Sequence, residues 1–257
     1  MNKILTIALN TFRESVRSKV LYSIMFFALL MVAVSAFFGT VTIGDQVIVI
    51  KDFGLMSISL FSVAFAVISG SALLYKELSK KTVYNILAKP VSRAQFVLGK
   101  YLGMYVTVGV MAALMGIGLS IFVLLFEGKA DLNMFYAYFF ILLELLIVCA
   151  AAIFFSSIVV TPMLSGLFTF GIFLAGRSAT QMLYFISPEN GESLGSVVLQ
   201  TLCWILPRLD MLNIGNDLVY GASISKDHLM WSIVYAVGYS GILLILSTAI
   251  FKRREFN

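Results

Sequence analysis

Six apolar runs of transmembrane length divide the chain, and they constrain its fold more than any other feature. They are Val20–Ile43, Phe53–Tyr75, Tyr101–Phe126, Met134–Val160, Met163–Ala179 and Trp231–Phe251. A helix that rises about 1.5 Å per residue needs about 20 apolar residues to cross the roughly 30 Å of hydrocarbon in a bilayer. The fifth run is the weakest, because Arg177 interrupts it. The sequence therefore predicts an all-α membrane protein with six transmembrane helices.

The composition supports a membrane location and argues against catalysis by the chain itself. Sixty per cent of the residues are hydrophobic and 12% are charged, whereas about 25% are charged in soluble domains. The two cysteines, Cys149 and Cys203, make no metal-binding spacing, and His228 is the only histidine. The sequence has no phosphate-loop, HExxH or GxSxG motif. We therefore expect no catalytic residue, metal or cofactor in this chain, and no nucleic-acid partner.

The positive charges are distributed unevenly around the six runs. Thirteen of the 18 Lys and Arg residues lie before the first run, between the second and the third, or after the last. Cytoplasmic segments of membrane proteins carry the excess of Lys and Arg. The asymmetry predicts that both termini are cytoplasmic, with residues 1–19 and the tail 252–257 on the same side as the loop 76–100.

Two other segments have the pattern of helices that lie on a membrane surface. In residues 3–19 the apolar side chains share one helical face, which predicts an interfacial amphipathic helix; a cytoplasmic helix packed on its neighbours is the alternative. On the outer side, the segment 187–230 contains the apolar stretch 197–207 with Trp204. This stretch predicts a short re-entrant or interfacial helix that ends at Pro207.

Glu144 is the acidic residue that lies well inside an apolar run. It is ten residues into the fourth run, which is about 15 Å deep and close to the middle of a bilayer. Ionisable groups at this depth usually face the bundle interior or a watery cavity. Two interpretations stay open: a contact in a transport pathway or proton-linked switch, or a carboxyl group hydrogen-bonded to a Ser, Thr or Tyr of another helix. Arg177 either binds an anionic headgroup at the outer interface or extends to water there.

The loop Lys76–Lys100, between the second and third runs, differs from the other connections in charge and in residue order. It carries six of the 18 Lys and Arg residues. Its apolar side chains, with Pro90 ending the first helical piece, predict a short helix–turn–helix parallel to the membrane. Ser92 is placed to cap the following helix through its side-chain oxygen. On charge alone, the loop would be a solvated segment that attracts anionic lipids.

The order of residues in this loop resembles a family signature. Glu77, Thr82, the stretch Leu87–Arg93 (LAKPVSR) and the stretch Leu98–Lys100 (LGK) are similar to the E…T…L-x-K-P-V-S-R…L-G-K pattern of ABC-2 type permeases. These are the membrane subunits of exporters that have a separate ATPase. Weaker similarities are spread along the chain, at Arg13, Glu14 and Arg17, at Glu144 with Phe155–Ser157 and Pro162, and at Pro207–Asp210 with Asn213.

The resemblance implies that this chain is one part of a larger complex. Two copies, or the chain and a related permease, would pair, and each would bind one of two cytoplasmic ABC ATPase subunits, which hold ATP and Mg²⁺. The first helix of the loop would be the coupling helix that seats on the ATPase. The coupling residues expected are Glu77, Leu78, Lys80, Lys81, Thr82, Val83, Ile86, Leu87, Pro90 and Arg93. The location implied is the cytoplasmic (inner) membrane of a bacterium or archaeon, in contact with membrane lipids and with room for a further accessory subunit.

Two other classes of membrane protein stay open as alternatives. A channel or secondary transporter would show a polar pathway, broken helices or internal repeats, and only Glu144 points in that direction. A scaffold that anchors a soluble partner would keep the basic loop and need no pathway and no ATP.

The apolar, charge-poor spans favour a lipid or another amphiphile as substrate over a small ion.

Overall fold

The computed structural model of the chain is all-α over the residues that it describes, which are 3–41, 45–79, 92–129, 131, 133–159, 161–185, 201, 205–220 and 224–253. The helices are α1 (Lys3–Val16), α2 (Lys19–Val41), α3 (Gln46–Ser79), α4 (Arg93–Glu127), α5 (Asn133–Ile158), α6 (Pro162–Arg177), α7 (Ala179–Phe185), α8 (Gly215–Val219) and α9 (Lys226–Arg253). A 3₁₀ turn, Asp210–Leu212, precedes α8. No strand occurs in these ranges, and the predicted all-α class is confirmed.

Among the described residues, helix length and composition identify four candidate membrane spans, or five. The four are Gln46–Leu73 in α3, Arg93–Glu127, Asn133–Ile158 and Lys226–Lys252 in α9. The helices α1 and α2 make a fifth when they are counted as one span, which is bent by 64° at the break between them. The 16-residue helix α6 is apolar but shorter. The predicted membrane character is confirmed, whereas six separate spans and cytoplasmic termini stay predictions.

The N-terminus of α4 is fixed by a local capping arrangement. The backbone N–H of Gln95 donates to Ser92 Oγ over 3.2 Å, and the backbone N–H of Ser92 donates to Gln95 Oε1 over 3.1 Å. This reciprocal pair is a capping box, so the predicted cap at Ser92 is confirmed. At the other end, Gly128 adopts a left-handed conformation with φ 69°, which glycine takes without steric cost. The helix is 35 residues long, about 52 Å, and exceeds the predicted span 101–126.

The N-terminal helix α1 packs along the first part of α4. Two glycines of α4 allow the close approach: a Cβ at Gly99 would lie 2.7 Å from Ile7 Cβ, and one at Gly103 would lie 2.5 Å from the Ala8 carbonyl oxygen. Small residues at helix contacts let backbones approach in this way. On another face of α1, Leu5 is 62% exposed. The helix therefore packs on a neighbour, as the alternative interpretation requires, and also exposes apolar side chains, as an interfacial helix does.

The helix α5 lies at the centre of the bundle. It contacts α3, α4, α6 and α9. Of an apolar 18-residue stretch of α5, 72% is buried inside the protein, against 28% of the corresponding stretch of α9. A charged group in the buried part of α5 therefore needs partners from the helices around it.

The described part of the predicted outer segment folds back onto α6. The N–H of Leu209 donates to the Gly176 carbonyl oxygen over 3.1 Å, and Leu209 and Leu212 are buried. These contacts bring Asn213 beside the end of α6. The predicted helix at 197–207 falls mostly outside the described residues and stays a prediction.

Candidate functional site

The carboxyl group of Glu144 is buried in the middle of α5 and meets side chains from two other helices. Glu144 is 2% exposed. Ser59 of α3 donates a hydrogen bond from Oγ to Glu144 Oε2 over 2.8 Å, and Arg177 Nη1 of α6 lies 3.5 Å from Glu144 Oε1. The predicted hydrogen bond from another helix is therefore present, together with a cationic partner that was not predicted. A pathway role for Glu144 stays a prediction.

Arg177 turns from the end of α6 into the bundle. It donates from Nη1 to Ser59 Oγ over 3.0 Å and from Nη2 to Asn213 Oδ1 over 2.7 Å. Its guanidinium carbon also lies 5.7 Å from the centre of the Phe173 ring, within the range of cation–π attraction. Charge and hydrogen-bond partners of the protein thus hold this side chain, and its contact with a headgroup or with water at the outer interface stays a prediction.

The connection between α5 and α6 explains why Glu144 and Arg177 meet. Glu144 lies 14 residues before α5 ends at Ile158, and Arg177 lies 15 residues after α6 begins at Pro162. A short turn between neighbouring helices makes them antiparallel, so residues at equal distances from the turn lie at equal depth. Proline is well suited to the first turn of α6, since its missing N–H would have no partner there.

A cavity of about 350 Å³ lies beside this polar cluster. Its polar lining is Asp52, Ser59, Glu144, Arg177 and Asn213. Its apolar lining comes from α3, α5 and α6 and from the segment before α8. Ligand sites typically have volumes of roughly 300–1,000 Å³ with a few polar groups on an apolar wall. The volume of this cavity is within that range, its wall is mostly apolar with five polar residues, and it lies at the depth of Glu144.

A second group of charges ties the start of α3 to the connection between α4 and α5. Lys51 Nζ lies 2.7 Å from Glu127 Oε2 and 2.7 Å from Asp131 Oδ2. Burial alone would raise the pKa of Asp131, but the hydrogen bonds from Lys51 and from the Asn133 backbone, with the charge of Lys51, lower it overall. Lys51 precedes the predicted second span, Phe53–Tyr75, and lies in the second turn of α3. The two carboxylates compensate its charge there.

One comparison with known proteins decides the family. The sequence profile described as ABC-2 family transporter protein matches residues 5–256, nearly the whole chain. The chain belongs to the ABC-2 transporter family. No curated protein matches it. The resemblance read from the loop Lys76–Lys100 is therefore confirmed, and this ABC-2 family protein is a multi-pass membrane transport component.

Most of the expected coupling residues of this ABC-2 family protein lie outside the described part of the chain. They are Lys80, Lys81, Thr82, Val83, Ile86, Leu87 and Pro90. The backbone of Glu77 and Leu78 belongs to the end of α3. Arg93 begins α4, and its Nη1 donates to the carbonyl oxygens of Phe251 over 2.9 Å and Lys252 over 2.8 Å. A cation at these carbonyls stabilises the C-terminal end of α9, a contact that was not predicted for Arg93.

Sequence reasoning expected a Ser, Thr or Tyr partner for Glu144, but it did not identify Ser59 as that residue and did not place Arg177, Asp52 or Asn213 beside it. Arg177 interrupts the fifth apolar run, and its distance from the turn matches that of Glu144. That match, with opposite charges in neighbouring apolar runs, is the signal that could have found the pair, because pairing lowers the cost of both charges in a membrane. Asp52 and Asn213 carry no such signal, since their positions depend on how α3 and the outer segment pack.

Proposed function

We propose that this ABC-2 family protein is the permease subunit of an ABC exporter, in which a separate cytoplasmic ATPase drives substrate through a dimer of permease chains. The observation that carries the proposal is the family match over residues 5–256, because members of this family generally pair with an ABC ATPase. The chain would cross the inner membrane six times, with α2 and α6 as spans in addition to α3, α4, α5 and α9. Both termini would then be cytoplasmic.

The basic loop Lys76–Lys100 would be the contact with the ATPase. Two long helices flank it: α3 continues to Ser79, and α4 begins at Arg93, eight residues before the predicted third span. These eight residues correspond to about 12 Å of helix. The capping box at Ser92 holds the first turn of α4 together. A displacement of the loop would therefore reach the bundle through a continuous helix.

The packing of α4 indicates which parts of the bundle such a displacement would move. Gly99 and Gly103 seat α1 closely against α4. Arg93 holds the C-terminal end of α9 through two carbonyl oxygens. A movement of the first turns of α4 would therefore carry α1 and the end of α9 with it. ATP and Mg²⁺ would remain on the ATPase, and the permease would supply the coupling surface and the pathway.

The proposal is tested by co-expressing the tagged chain with an ABC ATPase subunit from the same genome. We expect the two to co-purify, with ATP turnover altered in the complex. The double substitution Ile86→Asp and Leu87→Asp should weaken association by roughly 100-fold or more, because buried charges without partners cost several kcal/mol. The control is Tyr220→Asp, at an exposed position on the predicted outer side, which should bind normally. Undiminished binding by the double variant would contradict the coupling role of the loop.

A further inference from the structure

One oxygen of Glu144 has no hydrogen-bond partner among the described residues. Its Oε2 accepts from Ser59, whereas Oε1 is buried and unsatisfied. The nearest cationic atom, Arg177 Nη1, is 3.5 Å away, which is longer than an ordinary N–H···O hydrogen bond. A buried acceptor without a donor costs free energy. Because Glu144 lines the cavity, a ligand with a donor could remove that cost.

The charges around the cavity favour a cation. Its lining contains two carboxylates, Asp52 and Glu144, and one guanidinium, Arg177. Arg177 already faces three oxygens, those of Glu144, Ser59 and Asn213. The Ser59 hydroxyl and the Arg177 guanidinium both face the Glu144 carboxyl group. With one more acid than base, the lining attracts a positively charged group more than a negative one.

The remaining wall of the cavity is apolar and reaches the surface between α3 and α6. Leu55 and Phe173 are buried in this wall, while Met56, Leu60 and Leu174 are exposed. An exposed apolar border at membrane depth allows a hydrocarbon chain to enter from the side. The cavity therefore has a polar end that suits a cation and an apolar end that suits a hydrocarbon chain.

We propose that this cavity binds a cationic amphiphile whose headgroup carries N–H donors, in chemical terms a primary alkylammonium. The ammonium group donates to Glu144 Oε1 and is attracted by Asp52, and the hydrocarbon chain lies along the apolar residues of α3 and α6. A quaternary ammonium of equal charge has no N–H and leaves Oε1 without a donor. Export of the bound molecule rests on the proposed permease function, whereas binding requires the chain alone.

The test is equilibrium binding of radiolabelled dodecylammonium to the purified full-length chain in maltoside micelles, without ATPase. We expect saturable binding above that of protein-free micelles. Unlabelled dodecylammonium should compete at least about tenfold better than dodecyltrimethylammonium, because a charge-assisted hydrogen bond separates the two. Equal competition by the two ammonium compounds, or binding no greater than that of protein-free micelles, would overturn the proposal without any substitution in the protein.

Two acid-to-amide variants locate the bound headgroup. Glu144→Gln should weaken dodecylammonium binding about tenfold or more. Glu127→Gln is the matched control, since it removes an acid that pairs with Lys51 and does not line this cavity; it should leave binding unchanged. An unchanged affinity in Glu144→Gln, or an equal loss in both variants, would contradict the site. Binding of dodecylammonium by a chain that recruits no ATPase would contradict only the proposed function, and the reverse result only this site.

Discussion

The side chain of Lys51 lies between two carboxylates where α3 meets the connection from α4 to α5. The lysine side chain is 8% exposed, and those of Glu127 and Asp131 are 34% and 22% exposed. Breaking a buried ion pair is costly because it leaves a charge without compensation, and partial exposure of the two acids reduces that cost. At the scale of single residues, Lys51 is accommodated inside the bundle because two acidic residues distant in sequence compensate its charge.

This arrangement predicts how stability depends on pH. The pKa of Asp131 lies below its ordinary value of 3.8 because the Lys51 and Asn133 interactions outweigh burial. Its stabilising contribution is therefore complete above about pH 3.8 and is lost as the pH falls through the lower folded-state pKa. Between about pH 5 and about pH 3, the unfolding temperature of the wild type should fall more than that of Asp131→Asn. Parallel curves for the two proteins in thermal unfolding would show that the carboxylate has no such role.

Among the elements, α4 shows which features a sequence reveals. The cap at Ser92 was predictable because it depends on residues three positions apart, and the apolar run 101–126 was predictable because burial in a membrane requires it. The packing of α1 against α4 was not predictable from the sequence. Gly99 and Gly103 form a pattern that is common by chance, and they indicate a contact only when the partner helix and its backbone are known.

The close packing of α1 on α4 predicts a difference between two glycines of the same helix. Gly103→Ala should lower the free energy of unfolding by about 1–3 kcal/mol, because its Cβ would meet the Ala8 carbonyl oxygen at 2.5 Å. Gly109→Ala should be neutral or stabilising by up to about 1 kcal/mol, since its Cβ would lie 3.6 Å from the nearest side chain. Unfolding in detergent and tryptic cleavage after Arg13 measure both effects.

The relative stability and cleavage rate of the two alanine variants test the contact between α1 and α4. Faster cleavage in Gly103→Ala alone would show that α1 has been displaced from α4. Equal stability and equal cleavage in the two alanine variants would mean that the contact does not constrain α1.

At the scale of the whole molecule, the polar cluster joins parts of the chain that are far apart in sequence. Ser59 comes from α3, Glu144 from α5, Arg177 from α6, and Asn213 from the segment before α8. The depth of Glu144 was predictable from the length of its run, and the family from the loop. The pairing with Arg177 could have been inferred from its equal distance from the turn, but the positions of Ser59 and Asn213 could not, because they depend on how α3 packs and on the return of Leu209 onto Gly176.

The cluster predicts strong energetic coupling between α5 and α6. Arg177→Gln should destabilise the protein by about 3–5 kcal/mol, because Glu144 would remain buried without a cation. Glu144→Gln should cost less, since Arg177 keeps Asn213 and Ser59 as acceptors. The double variant should then be more stable than the sum of the single effects predicts, by about 1–3 kcal/mol. Urea or thermal unfolding of the four proteins in the same detergent measures this difference.

A matched cycle excludes a general effect of removing charge from the bundle. Arg177→Gln combined with Glu127→Gln changes the same residue types, but Glu127 pairs with Lys51 rather than with Arg177. Distant sites are additive to within about 0.5 kcal/mol, so this second cycle should show no coupling. Additivity in the Glu144 cycle as well would mean that the 3.5 Å approach of Arg177 Nη1 to Glu144 Oε1 contributes nothing to holding α5 and α6 together.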